Sequence, residues 1–291
     1  MSTVQARPVP ERDASTLLRE ITLSRVVALQ LAFVGTLGFV LSLGVFGRVF
    51  ELVTGQSLVS VNQFVSVGAV SGLLGTLVVV VLAVVIVLPH ELLHGLAISY
   101  YGGKPRYGVG LAHFLLPYAY ATADHRFTRN QFVVVALAPL VGLTVLGVAL
   151  MAAFEWSWLI VPLAANAGGA VGDCWMVLTV LGYPAHTRIE DGTTGLRILG
   201  TRTDSSQGHW LTTALWSVAI GTAVVPIGVY LVGPFALLAL GIESLTVGWP
   251  GTVTLLFEST ATPMSYSFSV GPGSFLLGAI LGAVYALVRS R

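Results

Sequence analysis

The sequence predicts an all-α polytopic membrane protein of about six transmembrane helices, on three observations. Of its 291 residues, 55% are hydrophobic and only 9% charged, where soluble domains carry about a quarter charged residues. The apolar residues gather into six stretches near membrane length. Lys and Arg fall almost entirely on one side of those stretches.

A hydrocarbon core about 30 Å thick takes roughly 20 apolar residues as a helix, and the stretches are 26–48, 66–101, 131–154, 157–183, 210–240 and 273–288. The second is too long for a simple crossing. It either runs past the membrane or breaks near Pro89, because proline removes a backbone donor. Pro226 and Pro234 are expected to bend the fifth in the same way. A cytoplasmic N-terminus puts Arg7, Arg12, Arg19, Arg25, Lys104, Arg106, Arg126, Arg129, Arg188, Arg197, Arg202, Arg289 and Arg291 inside and only Arg48 outside. A wrong number of spans would scatter these charges, so both termini are expected in the cytoplasm, and one lysine beside thirteen arginines points to a prokaryotic cell membrane.

The organisation read from this pattern is a cytoplasmic arm over 1–25 and a single membrane domain over 26–291, without internal repeats. In the arm, Leu17, Leu18, Ile21 and Leu23 fit a helix on the membrane surface or an extension of the first span, and the extension is preferred. Residues 107–122 are apolar but too short to cross, and Gly108, Gly110 and Pro117 argue against an ordinary helix. This stretch reads as a re-entrant or hairpin segment, or as an interfacial loop. In the external segment 243–272, residues 245–247 and 252–255 flank Pro250-Gly251 and read as a short hairpin. Gly278 and Gly282 suit helix packing within the chain.

Composition also narrows the partners. A formal net charge of +1 and one lysine leave no basic stripe for nucleic acid, so the expected partners are membrane lipid and a membrane-associated protein or peptide substrate. Cys174, the single cysteine, excludes an intramolecular disulfide and a cysteine-cluster zinc site.

Within the second stretch stands His90-Glu91-Leu92-Leu93-His94. Residues four apart share a helix face, so His90 and His94 can bind one Zn2+ while Glu91 reaches the metal's water as general base. Three ionisable groups in five residues of an apolar span need a compensating partner such as a metal or a water-filled cavity. A catalytic zinc usually keeps three protein ligands, and Asp173 is the only acid within the fourth stretch. Counting inward from the same side, His94 and Asp173 both lie roughly 14 Å deep. Asn166, Gly169, Ala170 and Asp173 recur at helical spacing and make one small, polar face. Glu155 and Glu190 sit at span ends and are weaker candidates; His113 and His125 read as surface histidines and Cys174 as a small core residue.

The run His90-Glu91-Leu92-Leu93-His94-Gly95, with the later Pro117-Tyr118-Ala119 and with Asn166 followed by Gly172-Asp173, resembles the putative zincin peptidase family of prokaryotic membrane proteins, which are similar to site-2 proteases. The similarity runs from about 85 to 195, inside a metallopeptidase core at about 66–195. It implies zinc ligation by His90, His94 and Asp173, Glu91 as the base, and Asn166 as a residue that helps hold the substrate. The chain departs from the usual pattern where Ala167 follows Asn166 and Cys174 follows Asp173.

The expected function is therefore a membrane-embedded zinc metalloprotease that hydrolyses peptide bonds in or near the membrane. Two alternatives stay open on the residues alone: a non-enzymatic transporter or metal-binding scaffold, and a zinc hydrolase acting on a non-peptide bond in lipid. Against a transporter built from repeated halves, there is no second copy of the motif.

Overall fold

Ser24 starts the first long helix: its side chain accepts a hydrogen bond from the Val27 amide, and Gly55, at φ 73°, closes it. Between them α1 (Arg25–Thr54) carries no ionisable residue from 26 to 47. At 1.5 Å per residue it is about 45 Å long, more than a hydrocarbon core requires. The computed structural model describes residues 16–56, 77–78, 80–112, 116–192, 195–204, 209–262 and 265–289. The start of the expected second span, at 66–76, and His113 lie outside the described residues.

Residues 80–85 are helical, turn at Ile86 and continue as α2 (Val87–Tyr100). The expected break near Pro89 thus falls one turn earlier, where the Val85 carbonyl would need the amide hydrogen that Pro89 lacks. A capping box between Thr128 and Gln131 opens α3 (Arg129–Phe154), and Glu155 in the left-handed region ends it. The fourth stretch, expected as one helix, is a short 3-10 turn (Ser157–Leu159) followed by α4 (Ile160–Gly169) and α5 (Val171–Leu181), which meet at Ala170. Gly168-Gly169 lowers helix propensity at that junction. The last two long helices are α6 (His209–Ala239) and α7 (Pro272–Arg289).

Among the described residues six helical stretches are long and apolar enough to cross a membrane: Arg25–Thr54, Val80–Tyr100, Arg129–Phe154, Ser157–Leu181, Thr213–Ala239 and Pro272–Arg289. Leu41, Val45, Leu96, Val145, Leu231 and Val288 are all more than half exposed on their outer faces. Helices apolar on the outside as well as the inside are those of an integral membrane protein.

The all-α expectation needs correction, because strands occupy both ends of the helical bundle. One sheet has the order β1-β6-β5-β4, all antiparallel, from β1 (Thr16–Thr22), β4 (Arg126–Thr128), β5 (Arg188–Gly192) and β6 (Gly195–Gly200). The described part of the N-terminal arm, Thr16–Thr22, is therefore a strand at the edge of the described sheet and neither a surface helix nor an extension of α1. It pairs Ile21 with Leu196 and Glu20 with Arg197. Its Leu18 and Ile21 pack on a core of Ile98, Phe127, Phe132, Val180, Ile189 and Ile198. A second core, around Phe46, Phe50, Met151 and Leu163, joins α1, α3 and α4.

After α2 the chain makes an antiparallel hairpin, β2 (Arg106–Ala112) with β3 (Leu116–Thr122), in which Gly108 faces Tyr120. Between α6 and α7 stands a three-stranded sheet of β7 (Leu245–Val247), β8 (Phe257–Thr262) and β9 (Ser265–Val270). The expected hairpin in this segment is displaced: β7 pairs with 257–259, not with 252–255. Turns at Trp249–Thr252, with Gly251 at φ 75°, carry the chain past Pro250 before pairing begins.

Helices α6 and α7 approach until backbones touch, since a Cβ on Gly278 would run into the Gly221 carbonyl and one on Gly282 into that of Ser217. The glycine pair packs within the chain. Gly278→Val is expected to destabilise the protein by about 1–3 kcal/mol, read as a lower unfolding temperature in detergent. Exposed Leu281→Ala is the control that should leave it nearly unchanged.

Candidate metal centre

Pro139 lies inside α3 and has no amide hydrogen for the carbonyl one turn before it, so the Val135 oxygen is left without its helical partner. His94 supplies one: its Nδ1–H donates to the Val135 oxygen at 2.9 Å. His90 is fixed in a similar way from α4. Asn166 is 1% exposed, and its Nδ2 donates to the Pro139 oxygen at 3.4 Å, which turns Oδ1 towards His90. His90 Nδ1–H donates to that Oδ1 at 2.8 Å.

With hydrogen on Nδ1 of both rings, each Nε2 presents a bare lone pair. The two Nε2 atoms are 3.2 Å apart. Asp173, in the first turn of α5, brings one carboxylate oxygen 3.3 Å from His90 Nε2 and the other 3.6 Å from His94 Nε2. Three acceptor groups thus converge within 4.8 Å of one another in the protein interior. Acceptors gathered this way call for a cation. Two nitrogens on a tetrahedral zinc stand roughly 3.3 Å apart, close to the observed separation, so the residues present fit zinc. The hydrogen bonds from Nδ1 are the outer contacts that fix ring orientation in metal-binding histidines.

Glu91, next to His90 on α2, lies with its carboxylate against the Ala121 backbone amide of β3. Its Oε2 is buried without a hydrogen-bond partner among the described residues. Leaving such an atom unmatched costs about 1–3 kcal/mol. His90, Glu91, His94 and Asp173 line one cavity of about 280 Å³ whose walls include Leu31, Phe132, Trp175 and Met176.

Of the residues named from sequence, His90, Glu91, His94 and Asp173 are together at this cavity, and Asn166 stands behind His90, outside the lining. The weaker candidates are elsewhere. Glu155 bonds Gln56, Glu190 pairs with Arg126, and His125 packs edge-on against Phe127. Sequence reasoning missed Pro139 and Asp191. Asp191 lines the cavity from β5, and the signal was present: it stands two residues after buried Ile189, on the same strand face.

Burial pushes the Asp191 carboxyl up to about 7, with Asp173 and Glu91 raising it further and His94 opposing. The folded protein therefore holds this proton more tightly than the unfolded chain, whose value is near 3.8. Folded-state stability is lost as pH climbs from about 4 to about 7 and changes no further from this group above that. Asp191→Asn should accordingly raise the unfolding temperature most at pH 8, with the advantage shrinking towards pH 4, as a thermal-melt series across pH would read.

A polytopic membrane protein with a His-His-Asp cluster buried in its spans is what fold and site together define. Residues 82–188 match the family model described as putative zincin peptidase, a segment that contains His90, Glu91, His94, Asn166 and Asp173. No curated protein and no solved structure matches the chain.

Proposed function

We propose that this protein is a membrane-embedded zinc metalloprotease that hydrolyses peptide bonds in or near the bilayer. The observation that carries the reading is the convergence of two bare Nε2 atoms and the Asp173 carboxylate beside the partnerless Glu91 Oε2. His90, His94 and Asp173 would hold the metal. Zinc bound there would supply Lewis acidity and bring a water molecule's pKa towards neutrality.

Glu91 takes the proton of the attacking water and passes it to the leaving amine; its unmatched oxygen is the atom free to do so. The apolar walls limit bulk water around it, which strengthens its electrostatic interaction with the reacting atoms. Asn166 holds His90 in register instead of touching substrate, because its amide is already engaged by His90 and Pro139. The end of the bundle that carries the four-stranded sheet faces the cytoplasm, supported by the thirteen Lys and Arg residues assigned to that side against Arg48 alone on the other.

The test is cleavage of fluorescein-labelled casein by purified protein in detergent. Hydrolysis should stop on chelation and return with added zinc. Hydrolysis indifferent to chelation, or none by zinc-loaded protein, would count against the reading.

A further inference from the structure

A second, wider cavity of about 650 Å³ adjoins the first at the four-stranded sheet, and Thr22, Asp191, Gly192 and Gly195 line both. It forms a vestibule to the metal cavity, with Asp191 at the threshold. The other acids of the vestibule are neutralised in place: Glu20 by Arg197 at 2.9 Å, Glu190 by Arg126 at 2.6 Å, and Asp124 by Arg106. Such exposed pairs add little stability, but they cancel charge.

Asp191 has no such partner. Strand alternation turns it to the face of Ile189 and away from that of Glu190 and Arg126. Its backbone oxygen accepts from Thr122 Oγ1 at 2.7 Å, which ties β5 to the hairpin beside Glu91. Its carboxylate makes no hydrogen bond or ion pair among the described residues, and no Lys or Arg among them lines the metal cavity.

We infer that Asp191 is a cation subsite of the metal cavity, receiving an ammonium or guanidinium group of the substrate beside the bond that Glu91 attacks. The inference rests on the metalloprotease reading. Asp191 is half-buried in the cavity wall, where surrounding water is restricted, and a cation from the ligand gives its carboxylate a charged partner at the moment of binding. The raised proton affinity of Asp191 agrees with an acid whose partner is not part of the chain. The cation is a Lys or Arg side chain or the free amino terminus of a peptide.

Three small hydroxamates, which anchor on zinc, distinguish these sources: Nα-acetyl-lysine hydroxamate, Nα-acetyl-norleucine hydroxamate, and norleucine hydroxamate with its amine free. Calorimetric titration of each into zinc-loaded full-length protein in detergent is expected to show one cationic probe binding about tenfold tighter than the neutral one. The lysine probe marks a side-chain cation and the free amine a terminus. Asp191→Asn should abolish the preference and keep the affinity of the neutral probe, which also certifies a folded site. Equal affinities in wild type overturn the subsite, as does a preference that survives in Asp191→Asn or a loss shared by all three probes. If zinc-loaded protein binds none of them, the metal reading fails and the subsite falls with it.

Discussion

Glu91→Gln is expected to keep zinc and to lose peptide-bond hydrolysis by about 10²–10⁴-fold. The substitution preserves the size of the side chain and its place against the Ala121 amide while removing the ability to take a proton. Metal content and unfolding temperature should match wild type, because the proposed ligands are His90, His94 and Asp173, the residues whose donor atoms converge. Casein cleavage measured beside zinc content separates the outcomes. A variant that keeps both zinc and full turnover would remove Glu91 from the mechanism.

Asp173→Ala carries the second large effect. It removes the only carboxylate within reach of both Nε2 atoms among the described residues, leaving two ligands where a catalytic zinc keeps three. Zinc affinity should fall by more than about 100-fold, beyond the 10–100-fold typical of outer contacts. Asn166→Ala belongs to that milder class, since it frees His90 to rotate without removing a ligand. Competition with a chelator of known affinity reads both. Equal losses in the two variants would mean that Asp173 only positions the histidines.

The contrast between these residues shows what a sequence can carry. His90 and His94 were legible because the helical period alone puts residues four apart on one face, and an apolar span makes such a pair conspicuous. Asp173 followed from matched depth, a one-dimensional quantity that survives the break at Ala170. Asn166 was legible as a neighbour on that face, but not the bond to His90 that occupies its amide.

The strands were harder to read. A bulge between Leu17 and Arg19 shifts the alternation of β1, so its two-residue period is hidden, and its partner β6 lies some 180 residues away. Pro139 is merely a proline in a span until the Val135 carbonyl is seen to face His94. Asp191 looks like one more acid in a solvated segment until its neighbours are found paired while it has no ion-pair partner among the described residues.

The metal centre is tested most directly by the zinc content of the purified, detergent-solubilised wild-type chain, measured by mass spectrometry after exhaustive washing. One zinc per chain is expected, reduced in both His94→Ala and Asp173→Ala under matched folding controls. A well-folded wild type that takes up no zinc when it is supplied would contradict that expectation and leave the converging acceptors without their cation.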